Sequence, residues 1–229
     1  MSAFSFFQKA LADRLDPTVR KPLAEYADAL RRELRQMDAT ALAARSGAEL
    51  RPGEGGIVLT LPFWGDPTQA TFPELVFRLP AGRTPDDLSQ ALLLHHLHHS
   101  DGAAVLGRWM AFSELPDGRF YAQAFQSYTG QPLAQRFSQG ADQFAAAALA
   151  IGGAPLPFAD LAFAFRPLPC APLLIACWQG DEDFPASCRI LFDASAPRHL
   201  STDACAILGS MLARRLTSSA ASRSLQDRT

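Results

Sequence analysis

The sequence predicts an α+β protein: a mainly antiparallel sheet with helices packed against it, behind a helical N-terminal region. Three observations carry this. Leu23, Ala27, Leu30 and Leu34 recur at helical spacing early in the chain. The later apolar runs are short and bounded by Pro, Gly and acidic turns. Those runs are joined by tight turns, which suit antiparallel neighbours rather than parallel crossovers.

Taken in order, the first helix spans residues 21–36, with Pro22 in its first turn, in preference to a start at Pro17. Asp38 caps a second helix over 39–45, and Gly47 ends it. A turn at 51–56 leads into a strand at 57–61, whose antiparallel partner is read at 74–79. Thr84, Pro85, Asp86 and Asp87 form a helix start, with Thr84 as N-cap, and that helix runs over 85–100. Residues 105–114 read as a strand, and Pro116-Asp117-Gly118 as a hairpin turn into a strand at 119–125. Helices at 132–139 and 141–151 follow, then strands at 161–165, 173–178 and 188–192, and a last helix from Ser201 to about Leu216. The domain reading is a helical region at 1–50 packed on an α+β domain at 51–217, with a flexible Ser- and Arg-rich tail at 218–229.

Composition excludes several function classes. A net charge of −2 and a pI near 6.2 give no electrostatic footprint for nucleic acid. Nineteen Arg against two Lys, with no Asn, reads as a codon bias. No apolar stretch reaches the roughly 18–20 residues of a membrane span, and residues 1–9 do not read as a signal peptide. Cys170, Cys177, Cys188 and Cys205 include no CxxC pair, so reduced thiols in or near a core and a cytoplasmic location are expected. No Gly-rich phosphate loop is present.

Two constellations carry chemistry. His95, His96, His98 and His99 lie in one predicted helix, where His95 and His99 share a face at i,i+4 spacing. Neutral imidazoles in that arrangement chelate a transition metal, or one of them serves as axial ligand to a tetrapyrrole. The four histidines are therefore candidate metal ligands. His95 and His99, with Trp109 and Phe112 as aromatic wall, are the candidate cofactor site. The second constellation is the acidic turn Asp181, Glu182 and Asp183, with Asp193 and His199, a candidate site for a hard cation or metal-assisted hydrolysis. No catalytic residue is assigned, because Ser195 near His199 lacks a GxSxG elbow.

The succession Gly107-Arg108-Trp109-Met110-Ala111-Phe112-Ser113-Glu114-Leu115-Pro116-Asp117-Gly118, then Gly180-Asp181-Glu182-Asp183-Phe184-Pro185-Ala186 and Leu191-Phe192-Asp193-Ala194-Ser195, resembles a family catalogued as domain of unknown function 3786. The resemblance extends over about residues 39–216. It implies a setting in anaerobic bacteria and archaea, where some members carry an adjoining iron–sulfur segment. This chain lacks the closely spaced cysteines of such a segment, so that role is not carried over. The functional expectation is an accessory protein binding a small cofactor or metal, a haem-like or corrinoid tetrapyrrole, through the histidine-rich helix. The alternatives are a metal-assisted hydrolase or a non-catalytic protein-interaction module.

Overall fold

The computed structural model describes residues 17–53, 56–137 and 140–226. The reading of residues 1–9 falls outside them. The chain divides into two compact units: residues up to Val105 with Pro167–Ala171 and Ser195–Ala204, and Leu106–Arg166 with Pro172–Ala194 and the chain from Cys205 on. Each contains an antiparallel sheet, so the α+β class holds.

The first unit opens with α1 (Pro17–Leu34) and α2 (Ala39–Ser46). The α1 start is Pro17, not Lys21, because a proline at the first helical position gives up an N–H that has no intrahelical partner anyway. Leu23, Ala27, Leu30 and Leu34 are all buried, so the apolar stripe reads correctly. Asp38 caps α2 by accepting from the Ala41 N–H at 2.8 Å, and Gly47 ends it at φ +72°, where a Cβ is disfavoured.

A meander follows: β1 (Glu49–Gly53), β2 (Gly56–Phe63), β3 (Asp66–Phe72) and β4 (Phe77–Arg78), in that spatial order. The partner of β2 is β3, not residues 74–79. Phe63 pairs with Asp66 across a two-residue loop in which Trp64 and Gly65 both have positive φ, the hairpin turn that matches strand twist. A tryptophan in the left-handed region hides that turn from sequence reading, since Asn or Gly marks it normally. The helix α3 (Asp87–His99) is capped by Asp86, which accepts from the Ser89 N–H at 2.8 Å, instead of by Thr84.

The second unit holds the sheet β5 (Trp109–Ala111), β9 (Ser187–Asp193), β8 (Leu173–Trp178), β7 (Leu161–Phe165) and β6 (Ala154–Pro155), in that order and antiparallel throughout. The last three predicted strands match to within a residue at each end. The predicted hairpin at 116–118 does not exist. The chain leaves β5 into short 3₁₀ turns at Phe112–Glu114 and Gly118–Tyr121, then α4 (Ala122–Tyr128), α5 (Gly130–Phe137) and α6 (Ala141–Ala150). The cause is packing. Asp117 sits at φ +58° and Gly118 doubles back so tightly that a Cβ there would lie 2.0 Å from the Phe112 carbonyl oxygen. That reversal lets Phe125 stack on Phe112 at 4.2 Å, which a strand at 119–125 would not.

The final helix, α7 (Thr202–Gln226), continues beyond Leu216, because residues 217–226 contain neither Gly nor Pro to stop it. Residues 218–226, read as tail, are therefore helical. Cys177 and Cys188, expected as reduced thiols, form a disulfide, since they face each other in the β8–β9 register; Cys170 and Cys205 stay thiols. No helix among the described residues is long and apolar enough to cross a membrane.

The reversal at Gly118 gives a paired prediction. Gly118→Ala lowers the unfolding free energy by about 3 kcal/mol or more, because its methyl overlaps a backbone carbonyl. Asp117→Gly, at an exposed left-handed position, is neutral or stabilising by about 0.5–1 kcal/mol. Urea titration of both variants checks the contrast.

Candidate functional site

The histidine-rich helix α3 lies in the first unit, and its imidazoles diverge. The backbone N–H of Ser201 only donates, so the His95 Nε2 atom, 3.1 Å away, accepts. Its Nδ1 then carries the proton and donates to the Tyr26 hydroxyl oxygen at 2.5 Å. The Ser46 carbonyl only accepts, so His96 donates from Nε2 at 3.0 Å and accepts from the Ser100 hydroxyl at Nδ1, at 3.2 Å. His98 pairs with Glu33 at 2.8 Å on the surface. His99 is exposed, and its ring stacks on His95 at 5.1 Å between centroids.

These partners share a role. Ser46 is the last residue of α2, so its carbonyl is one of the four that a helix end leaves without an intrahelical donor. Ser201 precedes α7 and caps it, its hydroxyl accepting from the Ala204 N–H at 3.3 Å. A capping box would place Glu or Gln three residues after the cap to accept from the cap's own N–H. Ala204 stands there, and His95 supplies the acceptor from α3 instead. His199 serves a loop instead, donating from Nε2 to the Ala103 carbonyl at 2.9 Å.

Both inner rings are held neutral. Burial chiefly, then the neighbouring His99, His98 and His96, pushes the His95 pKa down to about 3. Burial also pushes His96 down to about 4 against the pull of the Ser46 carbonyl, with His199 and His99 lowering it further. Tyr26 is pushed up to about 12 by burial and by Asp203 and Glu33, so it keeps its proton.

These partners hold the imidazoles of His95, His96 and His98 apart. Neither nitrogen of His95 or His96 is open to a metal. Among the described residues no group of three or more His, Cys, Asp or Glu side chains could hold one. Shared spacing on a helix places side chains on a face, but partners from other elements decide where their nitrogens point.

Within the second unit the acidic turn and Asp193 lie apart. Asp181, Glu182 and Asp183 are exposed on the turn before β9, where the Asp181 carboxylate accepts from the Asp183 and Phe184 N–H groups at 2.9 and 2.7 Å. Asp193 ends β9, so the strand sets the two roughly 20 Å apart. Asp193 is fully buried and accepts from the Leu106 N–H at 3.0 Å and the Gly107 N–H at 2.6 Å, one on each oxygen.

Trp109 and Phe112, the expected aromatic wall, belong to the second unit. Phe112 is buried between Phe125 and Phe192, and so is core, not wall. Trp109 packs on the cluster formed by Ala162, Leu174, Ala176 and Leu191. Sequence reading missed Tyr26 and Ser201, which no local pattern links to the histidines. It also missed the disulfide, although Cys177 and Cys188 lie equally far from the centre of the turn between their strands.

Two predictions follow from this geometry. The unfolded chain protonates His95 and His96 near pH 6.5, whereas the folded chain keeps them neutral until far lower pH, so the unfolded state binds more protons and stability falls as pH drops through that window. Between pH 7.5 and 5 the loss from the two is roughly 4 kcal/mol, and His96→Gln flattens the slope measured by denaturant titration at each pH. Separately, Asp193→Ala removes the shared acceptor of the Leu106 and Gly107 amides and empties a fully buried position, and costs about 3 kcal/mol. Asp193→Asn, which retains one acceptor oxygen, recovers part of that in the same measurement.

No match was found among curated proteins or among solved structures. A family profile does match residues 38–215, from the N-cap of α2 to within α7, and it covers the helix of histidines, both sheets and Asp193. The chain is thus a member of the family described as domain of unknown function (DUF3786).

Proposed function

We propose that the chain is a cytoplasmic, non-catalytic accessory protein that takes a metal-bearing small cofactor, of haem-like or corrinoid type, through one imidazole, His99. The supporting observation is the division of labour on α3. His95 and His96 have both nitrogens bonded within the fold, and His98 faces Glu33. His99 is exposed and braced by the His95 ring behind it, which two hydrogen bonds fix in place. Chelation of a bare ion needs several converging donors, whereas axial ligation of a tetrapyrrole metal needs one. The reading therefore favours the tetrapyrrole over the free ion.

A protein-interaction module is the second reading, favoured by Phe120 and Phe184, which are 83% and 72% exposed in the second unit. Absorbance titration of the purified protein with haem and with cobalamin separates the two. A shift of the cofactor's bands in the wild type that is lost in His99→Ala is the expected result, while elemental analysis finds no stoichiometric bare metal. Bands that do not move in the wild type refute the cofactor reading and leave the interaction module.

A further inference from the structure

We infer that the Cys177–Cys188 disulfide is a reversible redox clasp that sets the order of the β8–β9 hairpin tip, residues 178–187. The two cysteines are directly opposed on adjacent antiparallel strands, with Cα atoms 4.1 Å apart, as in the narrow pairs of such a ladder. The register from Leu173↔Phe192 to Ala176↔Arg189 holds these strands together without the bond. The ladder thus keeps the two side chains facing each other when the bond is open, so it re-forms without rearrangement of the sheet.

Its position also makes it a control point. Beyond the disulfide only the Trp178↔Ser187 pair remains before the tip. The tip is tied by a few local bonds: the Gln179 N–H to the Asp160 carboxylate at 2.9 Å, the Asp181 N–H to the Phe184 carbonyl at 2.9 Å, and the two amides on the Asp181 carboxylate. The sulfurs are buried, Cys177 at 6% and Cys188 at 3% exposure, but only that last pair separates them from the exposed tip. Opening of one rung admits a small dithiol, and local opening at a strand end requires far less than global unfolding. The bond closes only a short loop, so its main effect falls on that loop rather than on the fold.

The exchange balances. A thiolate of a dithiol reductant attacks one cysteine sulfur, forming a mixed disulfide and releasing the other cysteine as a thiolate, which takes up a proton. The reductant's second thiol then displaces the first cysteine and closes its own disulfide. Two electrons and two protons pass from the dithiol to the protein, and oxidised glutathione reverses the step.

The experiment treats the native, full-length protein, quenches thiol exchange with acid, removes the reagent and then alkylates in denaturant for mass analysis, because Cys205 is fully buried. Purified without reductant, it shows two alkylated cysteines, Cys170 and Cys205, which are outside the disulfide. After native incubation with dithiothreitol it shows four, and oxidised glutathione returns it to two. Hydrogen exchange at the amides of Gln179, Asp181, Asp183 and Phe184 accelerates about tenfold or more on reduction, while that of Ile175 and Ile190 stays slow. Three results overturn the clasp: a bond that yields only on global unfolding, four thiols that oxidised glutathione leaves unpaired, or reduction with no faster exchange in the tip. Cys177→Ser with Cys188→Ser fixes the open form. If that variant does not fold, the reduced wild type provides the same comparison.

Discussion

The first unit depends on one requirement: backbone groups at helix ends, once buried, need partners that their own helix does not supply. An unpaired buried amide or carbonyl costs about 1–3 kcal/mol, a large share of a domain's stability. The carbonyl ending α2 and the amide starting α7 are of opposite kinds, one needing a donor and the other an acceptor. Neighbouring histidines on α3 meet both needs by adopting opposite tautomers. A neutral imidazole donates at one nitrogen and accepts at the other, so each ring also bonds a second group, Tyr26 or Ser100. A carboxylate in place of either ring offers only acceptors and brings a buried charge.

In the second unit a buried side chain serves the main chain with different chemistry. The Leu106 and Gly107 amides both need acceptors, and the buried Asp193 carboxylate provides two oxygens, one for each. Two N–H groups engage both of its oxygens. The chemistry of each bracket follows from the backbone groups it serves: imidazole where donor and acceptor are wanted together, carboxylate where only acceptors are. Residue types that look catalytic in the sequence are engaged here as structural ligands of the main chain.

What was legible in the sequence was periodic or local. The Leu23, Ala27, Leu30 and Leu34 stripe, the Asp38 and Gly47 caps, and the strands β7 to β9 follow from spacing and from residues adjacent in the chain. Long-range geometry was not. The run of histidines on α3 looks like a chelate because spacing reports which side chains share a face. The deciding partners, Tyr26 and Ser201, lie 69 and 106 residues from His95. The false hairpin at Pro116 failed for the same reason, since stacking of Phe125 on Phe112 and the close approach of Gly118 to a carbonyl outweigh a turn signal.

The boundary of the family match divides these contacts informatively. It begins at Asp38, so α1 lies outside it while α2, α3 and the start of α7 lie within. The partners that serve helix ends, Ser46 and Ser201, come from inside the matched region, as does Ser100. The partners on the other side of the helix, Tyr26 for His95 and Glu33 for His98, both come from α1. The helix-end brackets are therefore made between residues of the matched region. The α1 contacts are an added layer that fixes the outer side of the same rings. His95 belongs to both, its Nε2 bonded to the α7 cap and its Nδ1 to α1. The bond to α1 thus holds in place the ring on which His99 rests.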